Sequence, residues 1–538
     1  MKKRLLTIIG VILMAFAVFA VQHYIWSDLF VAEFDSDDAE TVLWADAALE
    51  ADAPLNKDYY YQGQLIPFGG QFIFAPIVKH FGVTLFALRL GLCIWSSLFI
   101  LLLWLMLKAF GFSFASASLG TGAVVLMLSA TQETRDIFWT HVIYYNLSVF
   151  YALGAFGFLA MYLKGKHRAL WAVLFTLWTL LGSSNSSVLL AFFTLPLLGG
   201  LVLEVLFRED LFHFKSWRDL IPALLTAVCV PLGLFIYKRM TAGMPQGYIE
   251  GYSAITAASE WMSHLDVFFE RWTELFLKPS ADSVSFFSPV GIRAVIRLGA
   301  AIVTLGFGIA SLWIYSRVKT RAERVFIIFH WLVCAVTMFF FIFGTISNFC
   351  HRLTPMMFSS LICGLILVRT VLSEADFAPM AKLVTFAAGA FTLFAALIFG
   401  VSVLRQKADT SYWNAQDSIL KTIADHGLTY GYCSDFQFSN SLTVLTDGEI
   451  KVRYLLNDGT TLVNPKLSSM DAWYEDQPGV DRYFLVVLEL FADEMPFLAD
   501  NAVETYRVTQ YCPEIDGEKG FFLYVYDHNP VADFAEAE

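Results

Sequence analysis

The chain has 538 residues, of which 57% are hydrophobic and 16% are charged, and its mean hydropathy is +0.59. This balance is typical of a polytopic membrane protein and excludes an ordinary soluble globular domain. The net charge is −12, but residues 405–538 contain 23 acidic and 9 basic side chains, a net charge of −14 that leaves +2 for the rest. So acidic a region argues against nucleic acid as a partner.

The N-terminus, MKKRLLTIIGVILMAFAVFAVQHYIW, has a basic start and a long apolar run. It lacks an A-x-A-like cleavage site and is long enough to span a bilayer, which predicts a retained anchor. Two later segments are short, and their separation depends on GSSNSS forming a tight turn. With them the sequence predicts eleven membrane helices, near 5–26, 81–107, 111–130, 142–163, 169–183, 187–206, 220–237, 290–315, 325–346, 353–371 and 382–404.

The charges between these segments predict the orientation of the chain. The predicted cytoplasmic loops are short and basic, and comprise Lys108 and the stretches 164–168, 208–219 and 317–324. By the positive-inside rule, the N-terminus then lies in the cytoplasm. An odd number of crossings places the 27–80 loop, the 240–290 loop and the C-terminal region together on the extracytoplasmic face of the plasma membrane.

The C-terminal region has the pattern of a small α/β domain. A helix is predicted around 413–426, and strands at TYGYCS, IKVRYLL, YFLVVLE and FFLYVYD. The sequence thus predicts an α-helical polytopic membrane domain over residues 1–404 and an extracytoplasmic α/β domain over 405–538. Cys433 and Cys512 lie in the latter, where a disulfide and two free thiols are both open.

Asp35, Asp37, Asp38 and Glu40 crowd together just after the first apolar segment. Asp37, with Glu40 three residues later, is suited to cap a helix, and acids in a first turn suit the helix dipole. Ten acids against one base in residues 27–58 also require some acids to be solvated surface groups. A third interpretation is a catalytic carboxylate, since a helix start tethered to a membrane helix would hold a base at the membrane face.

The residues after this acidic cluster are spaced for a helix that lies on the membrane surface. Its apolar face would contain Ala39, Val42, Leu43, Ala45 and Leu49. Among the acids, Asp35 and Asp46 are interpreted as surface groups.

The segment DDAETVLWADAALE resembles the first-loop acidic segment of C-type (GT-C) membrane glycosyltransferases, especially the dolichyl- or polyprenyl-phosphate-dependent branch. That branch includes the protein O-mannosyltransferases and the lipid A aminoarabinose transferases. Asp37 and Asp38 match the acidic pair that opens a juxtamembrane helix in the family. The run PFGGQFIFAPIVKHFGVTLFALRL is similar to the family's proline, glycine and arginine positions, here Pro67, Gly82 and Arg89. LIPFGG replaces the Lys-Pro-Pro stretch of many relatives, so that the subfamily stays open.

The resemblance implies transfer of a sugar from a polyprenyl-phosphate donor to an acceptor glycan, lipid or protein, with inversion. Asp37 would be the base and Asp38 a supporting acid. Membrane lipid would surround the helices. The alternatives are a transporter or lipid flippase, and a non-catalytic cell-envelope assembly protein. No paired half-repeats are visible, and the acids lie at one face instead of the midplane, which argues against a transporter.

A leaving phosphate needs fixed cations, and the planar fork of arginine suits it best. SNFCHRLTP places His351 and Arg352 at the outer start of the tenth helix and resembles the family's Arg-x-x-Pro entry, with Pro355 as the proline. Alternatively, Arg352 snorkels to lipid headgroups. Arg293 and Arg297 share one face of the eighth helix, where they either hold phosphate or pair with an acid of a neighbouring helix.

The second outer loop, TQETRDIFWTHVIYYNLS, gathers further polar side chains. A second outer-loop acid contributes to the site in several relatives, which makes Glu133 and Asp136 candidates beside Arg135 and His141. Its two adjacent tyrosines, 144 and 145, are interpreted as interfacial aromatic groups. His141 alone is weak evidence for a metal, and no convincing ligand set is visible. The sequence therefore predicts no metal site, although some relatives use a divalent cation and that option stays open.

Overall fold

The computed structural model describes residues 2–63, 65–142, 145–206, 217–245, 254–278, 285–457, 461–492, 495–508 and 520–536. The helices up to Arg405 are α1 (Lys2–Trp26), α2 (Asp28–Glu33), α3 (Ser36–Glu50), α4 (Gln71–Phe81), α5 (Leu85–Ala109), α6 (Phe114–Met127), α7 (Gln132–Arg135), α8 (Tyr145–Leu163), α9 (Arg168–Ser183), α10 (Ser187–Leu189), α11 (Leu195–Leu206), α12 (Ile221–Met240), α13 (Trp261–Asp266), α14 (Phe268–Glu274), α15 (Pro289–Ile314), α16 (Arg321–Phe343), α17 (Thr354–Ser373) and α18 (Pro379–Arg405). The later helices are α19 (Thr410–Asp425), α20 (Phe436–Leu445), α21 (Glu489–Ala492), α22 (Phe497–Asp500) and α23 (Val531–Glu536). The strands are β1 (Tyr59–Tyr60), β2 (Tyr430–Cys433), β3 (Lys451–Tyr454), β4 (Leu456–Asn457), β5 (Leu462–Val463), β6 (Ser469–Met470), β7 (Tyr483–Leu488), β8 (Glu504–Val508) and β9 (Phe521–Tyr526).

Each of the eleven predicted apolar segments contains a helix. Within the described residues, nine helices are long and apolar enough to cross a membrane, while α6 and α9 are shorter. GSSNSS separates α9, which ends at Ser183, from the next helix, which begins at Ser187, as expected of a turn. The chain is a multi-pass helical membrane protein, as predicted, and the number of eleven crossings stays a prediction.

The chain forms two compact units. The helical unit comprises Met1–His23, Trp95–Met240 and Glu250–Arg405, and the α/β unit comprises Tyr24–Ile94, Thr241–Ile249 and Gln406–Glu538. The α/β unit thus contains the first loop as well as the C-terminal region. The predicted division into domains at residue 404 stays a prediction.

Buried ion pairs join helices of the helical unit at the start of α16. Glu204 on α11 and Glu323 on α16 are fully buried. Arg321 Nε donates to Glu204 at 2.7 Å, and Arg324 Nη2 donates to the same carboxylate at 3.0 Å. Glu323 pairs with Arg369 on α17. Because a buried carboxylate is strongly destabilising without a partner, these pairs hold α11, α16 and α17 in one arrangement.

A five-stranded sheet in the order β3-β2-β7-β9-β8 lies at the centre of the α/β unit. β2 runs parallel to β3 and β7, whereas β9 runs antiparallel to β7 and β8. Residues of β7 alternate between two apolar clusters, one of which also contains residues of α19 and α20. The predicted helix and the four predicted strands correspond to α19, β2, β3, β7 and β9, and the predicted α/β character of this region is confirmed. Cys433 is buried in β2, and Cys512 lies outside the described residues.

The first loop pairs with the C-terminal region inside the α/β unit. β1 and β6 form an antiparallel ladder in which Tyr59 faces Met470 and Tyr60 faces Ser469. This pairing requires that the first loop and the C-terminal region lie on the same side of the membrane. The odd number of predicted crossings has the same requirement.

Candidate functional site

The acidic segment forms the start of α3, and Asp35 caps that helix. The backbone of Asp35 is extended, and its Oδ1 accepts hydrogen bonds from the backbone N–H groups of Asp37, at 2.9 Å, and of Asp38, at 3.2 Å. This is the geometry of an N-cap, which satisfies N–H groups that have no partner within the helix. The cap interpretation of Asp37 is therefore wrong by two residues, and Asp35 is not the surface acid that was predicted.

Asp37 and Asp38 lie in the first turn of α3 and differ in exposure. Asp37 is half-buried, and its Oδ1 accepts a hydrogen bond from Gln62 Nε2 at 2.7 Å. Asp38 is buried, with 2% of its surface exposed. Asp37 thus combines a fixed position with contact to solvent, which a base requires.

α3 is buried on most of its circumference, so the prediction of a helix with one apolar face on the membrane surface is wrong. Glu40 is 1% exposed and accepts from Ser468 Oγ and from Trp44 Nε1, the latter at 3.2 Å. Burial raises the pKa of Glu40 well above its usual range. Burial also raises the pKa of Asp46, which is half-buried instead of a free surface acid.

Arg89 and Gly82, in the run PFGGQFIFAPIVKHFGVTLFALRL, have structural roles. Arg89 Nη2 donates to the carbonyl oxygen of Ser27 at 3.2 Å, and its guanidinium lies over the rings of Trp26 and Phe30. Arg89 thereby holds the turn between α1 and α2. Gly82 ends α4 with a φ of +73°, a conformation that glycine adopts without strain.

His351 and Arg352 lie in a 3₁₀ turn, Cys350–Leu353, directly before α17. Arg352 Nη1 donates to the hydroxyl oxygen of Tyr145 at 3.1 Å, and the guanidinium lies 5.7 Å from the centre of that ring. Pro355 follows in the first turn of α17, a position where its missing N–H needs no partner. Arg352 is half-buried and held by an aromatic neighbour at the start of a membrane helix.

The helical unit brings Glu133 of the second outer loop beside His351. Glu133 Oε2 lies 3.5 Å from His351 Nδ1, and the His351 ring holds the pKa of Glu133 below its usual range. Arg135 is 2% exposed, whereas Asp136 and His141 are half-buried at the two ends of a π-helical turn. The side chain of Glu133 therefore directly contacts His351, a predicted phosphate-binding residue.

Arg293 and Arg297 have separate environments despite their spacing. Arg293 is exposed, and its Nε donates to the carbonyl oxygen of Pro289 on its own helix at 3.2 Å. Arg297 Nη1 donates to the carbonyl oxygens of Ala130, at 2.7 Å, and Phe276, at 2.8 Å. Arg297 thus connects the ends of two other segments to α15, which neither sequence interpretation anticipated.

Tyr145 is the residue of this region that sequence reasoning missed. The sequence predicts an interfacial aromatic group at this position, but Tyr145 is 4% exposed and accepts the hydrogen bond from Arg352. No pattern in the sequence connects two positions 207 residues apart. Tyr144 lies outside the described residues.

Comparisons with known proteins concern the fold. No protein-family model and no curated protein sequence matches the chain. Its structure is similar to that of ArnT from Cupriavidus metallidurans in the apo state, with a TM-score of 0.52 and 14% identity over 96% of this chain and 97% of that one. The same protein bound to undecaprenyl phosphate gives a TM-score of 0.50 and 14% identity over 94% and 97% of the two chains. An oligosaccharyltransferase from Archaeoglobus fulgidus, in complex with zinc and sulfate, gives 0.46 and 12% over 95% and 72%.

ArnT is a lipid A aminoarabinose transferase with the GT-C fold of membrane glycosyltransferases. The similarity covers nearly the whole of both chains, so it includes the membrane helices and the C-terminal region alike. The resemblance that was inferred from the first loop is confirmed at the level of the fold: the chain has the GT-C fold.

Proposed function

We propose that the protein is an integral-membrane glycosyltransferase. It transfers a sugar from a polyprenyl-phosphate donor to an acceptor glycan, lipid or protein on the extracytoplasmic face of the plasma membrane. The observation that carries this proposal is the start of α3, where Asp35 caps the helix and leaves the half-buried Asp37 without a capping role. The GT-C fold supports it, as does the undecaprenyl phosphate bound to ArnT in one structure of that protein.

The proposed reaction is a single displacement at the anomeric carbon. The acceptor hydroxyl oxygen forms a bond to that carbon, while the bond from the carbon to the phosphate oxygen breaks. The proton of the hydroxyl passes to the carboxylate of Asp37, and the electron pair of the broken bond leaves with polyprenyl phosphate. Attack and departure occur on opposite sides, so the anomeric centre inverts. Asp38 is the supporting acid that orients neighbouring donors.

Arg352 and His351 are the proposed contacts for the phosphate. The bond to Tyr145 holds the guanidinium of Arg352 in one orientation, and a fixed cation stabilises the charge that develops on the leaving phosphate. Arg293 and Arg297 are the second choice for this role, because Arg297 already donates to two carbonyl oxygens. Variants of Arg352 test the first choice.

The experiment that tests the function uses purified protein in liposomes that contain a defined polyprenyl-phosphate sugar. Released polyprenyl phosphate is measured with and without candidate acceptors, and Asp37→Asn protein is the matched control. Sugar-dependent release by wild type that is lost in Asp37→Asn is expected. Movement of intact donor between leaflets without release would instead favour a flippase.

The proposed orientation has a test of its own. Ala51 in the first loop and Gly165 between α8 and α9 are both exposed. In a cysteine-free background, a membrane-impermeant thiol reagent applied to intact cells should label Ala51→Cys and leave Gly165→Cys unlabelled until permeabilisation. The opposite pattern would reverse the proposed orientation.

A further inference from the structure

Contacts within the α/β unit indicate a role for the C-terminal region that the fold class and the sequence motifs do not indicate. We propose that α19, α20 and Ser468, which directly precedes β6, hold the acidic helix α3 in position, so that Ser36, Glu40 and Ser468 are positioning residues for Asp37. This inference rests on the proposed function, because it assumes that Asp37 acts as the base. Three contacts, each from a different C-terminal element, carry it.

The first contact is made to Phe34, the residue before the N-cap. Gln416 on α19 is fully buried, and its Nε2 donates to the carbonyl oxygen of Phe34 at 3.3 Å and to Ser441 Oγ on α20 at 3.1 Å. One amide therefore connects α19 and α20 to the peptide that enters α3. Since Phe34 directly precedes the capping Asp35, this contact fixes the point at which the helix begins.

The second contact is made by the first residue of α3. Ser36 is fully buried, and its Oγ donates to the carbonyl oxygen of Gln437 at 3.1 Å. Ser36 Oγ also accepts hydrogen bonds from the backbone N–H groups of Asn440, at 3.0 Å, and Ser441, at 3.4 Å. The hydroxyl group of Ser36 thus connects the first turn of α3 to the backbone of α20 both as a hydrogen-bond donor and as an acceptor. Asp37 is the next residue along the chain.

The third contact lies one turn further along α3. Glu40 accepts from Ser468 Oγ, and Ser468 directly precedes β6, which pairs with β1 of the first loop. Glu40 and Asp37 are three residues apart and lie near each other on the helix surface. The three contacts surround Asp37 along the chain, at residues 34, 36 and 40, and every partner is contributed by the C-terminal region. A base must be held to within a fraction of an ångström to act efficiently, which gives this arrangement its purpose.

The chain offers a matched control for the loss of a buried hydroxyl. Ser434 lies in the same unit and is 5% exposed, and within the described part of the chain its Oγ has no hydrogen-bond partner. Ser434→Ala and Ser36→Ala remove the same atom from buried sites, but only the latter releases α3 from α20. Glu40→Gln is the conservative variant, because a glutamine oxygen can still accept from Ser468 and Trp44.

The test measures turnover and hydrogen exchange on the full chain in nanodiscs. Ser36→Ala and Ser468→Ala should lower kcat by about tenfold or more, since a misplacement of about 1 Å is enough for such losses, and leave KM for the donor unchanged. Glu40→Gln and Ser434→Ala should retain turnover. In an Asp37→Asn background, Ser36→Ala should bring no further loss, because its effect passes through Asp37.

Hydrogen exchange separates failure of this inference from failure of the proposed function. In Ser36→Ala, the amides of residues 37–45 should exchange faster while those of β7 and β9 keep their rates. Equal turnover of Ser36→Ala and Ser434→Ala would overturn the inference, and so would acceleration of the whole unit. If Asp37→Asn itself retained turnover, the proposed function would fail, and unchanged exchange in α3 would then refute the positioning contacts independently.

Discussion

Replacement of Asp37 by asparagine separates catalysis from helix capping, because the structure assigns these tasks to different residues. Asp35 supplies the cap of α3, so Asp37→Asn leaves the hydrogen bonds of the cap intact. The one hydrogen bond described for the Asp37 side chain comes from Gln62 Nε2 at 2.7 Å, and an asparagine oxygen accepts it equally well in geometry. The change from a charge-assisted to a neutral hydrogen bond should lower the free energy of unfolding by about 1 kcal/mol.

The expected effect on turnover is much larger. Loss of a general base lowers the rate by roughly 10²- to 10⁴-fold, which corresponds to about 2.7–5.4 kcal/mol of activation free energy. The measurement is release of polyprenyl phosphate from a defined donor, together with donor binding and the thermal midpoint of the same preparation. Donor binding should survive, because the substitution leaves the proposed phosphate contacts unchanged.

Asp35 provides the matched control for this prediction. Asparagine caps helices about as well as aspartate, so Asp35→Asn should keep both stability and turnover, whereas Asp35→Ala should lose about 0.5–2 kcal/mol of stability. A folded Asp37→Asn protein with wild-type turnover would refute the assignment of the base. A large loss in Asp38→Asn, with Asp37→Asn unaffected, would keep the mechanism and move the base by one residue.

Substitutions at three further residues test other parts of the molecule. Arg352→Ala should weaken use of the donor by about 1.5–3 kcal/mol, as measured by kcat/KM, and Arg352→Lys should restore only part of it because the planar fork is lost; full activity of the alanine variant would shift the phosphate contact to another cation. A carboxyl group with a raised folded-state pKa contributes stability that is present below its unfolded pKa of about 4.5 and is lost as the pH rises. The thermal midpoint of Glu40→Gln minus that of wild type should therefore increase as the pH rises above 4.5. Parallel pH profiles of the two proteins would contradict the burial argument. Glu204→Ala should lower the free energy of unfolding by about 3 kcal/mol, since Arg321 and Arg324 lose the buried carboxylate that they share; an unchanged thermal midpoint would show that water replaces the carboxylate.

The membrane-spanning part of this protein could be predicted because its signal is local. A run of about twenty apolar residues must form a helix in lipid, where every backbone group needs a partner within its own segment. All eleven apolar segments contain helices for this reason. The strands β2, β3, β7 and β9 were also visible, since short runs of aromatic and β-branched residues indicate buried strands regardless of their partners.

The start of α3 marks the boundary of such local reasoning. The sequence determined that a helix begins among Asp35, Asp37 and Asp38, but each of these three aspartates is suited to the cap. The backbone conformation decided the question: Asp35 is extended and accepts from the two following N–H groups that it can reach. A shift of two residues in the cap changes which carboxylate remains for chemistry.

The positions of Ser36, Glu40 and Arg297 were decided by tertiary structure alone. The sequence indicates no role for Ser36, pairs Glu40 with Asp37 in a helix cap, and leaves Arg297 either to hold phosphate or to pair with an acid of a neighbouring helix. Their partners lie roughly 400 residues away for the first two, at Gln437 and Ser468, and 167 residues away at Ala130 for the third. Burial makes each polar group depend on a particular partner, and only the folded chain determines which partner it meets.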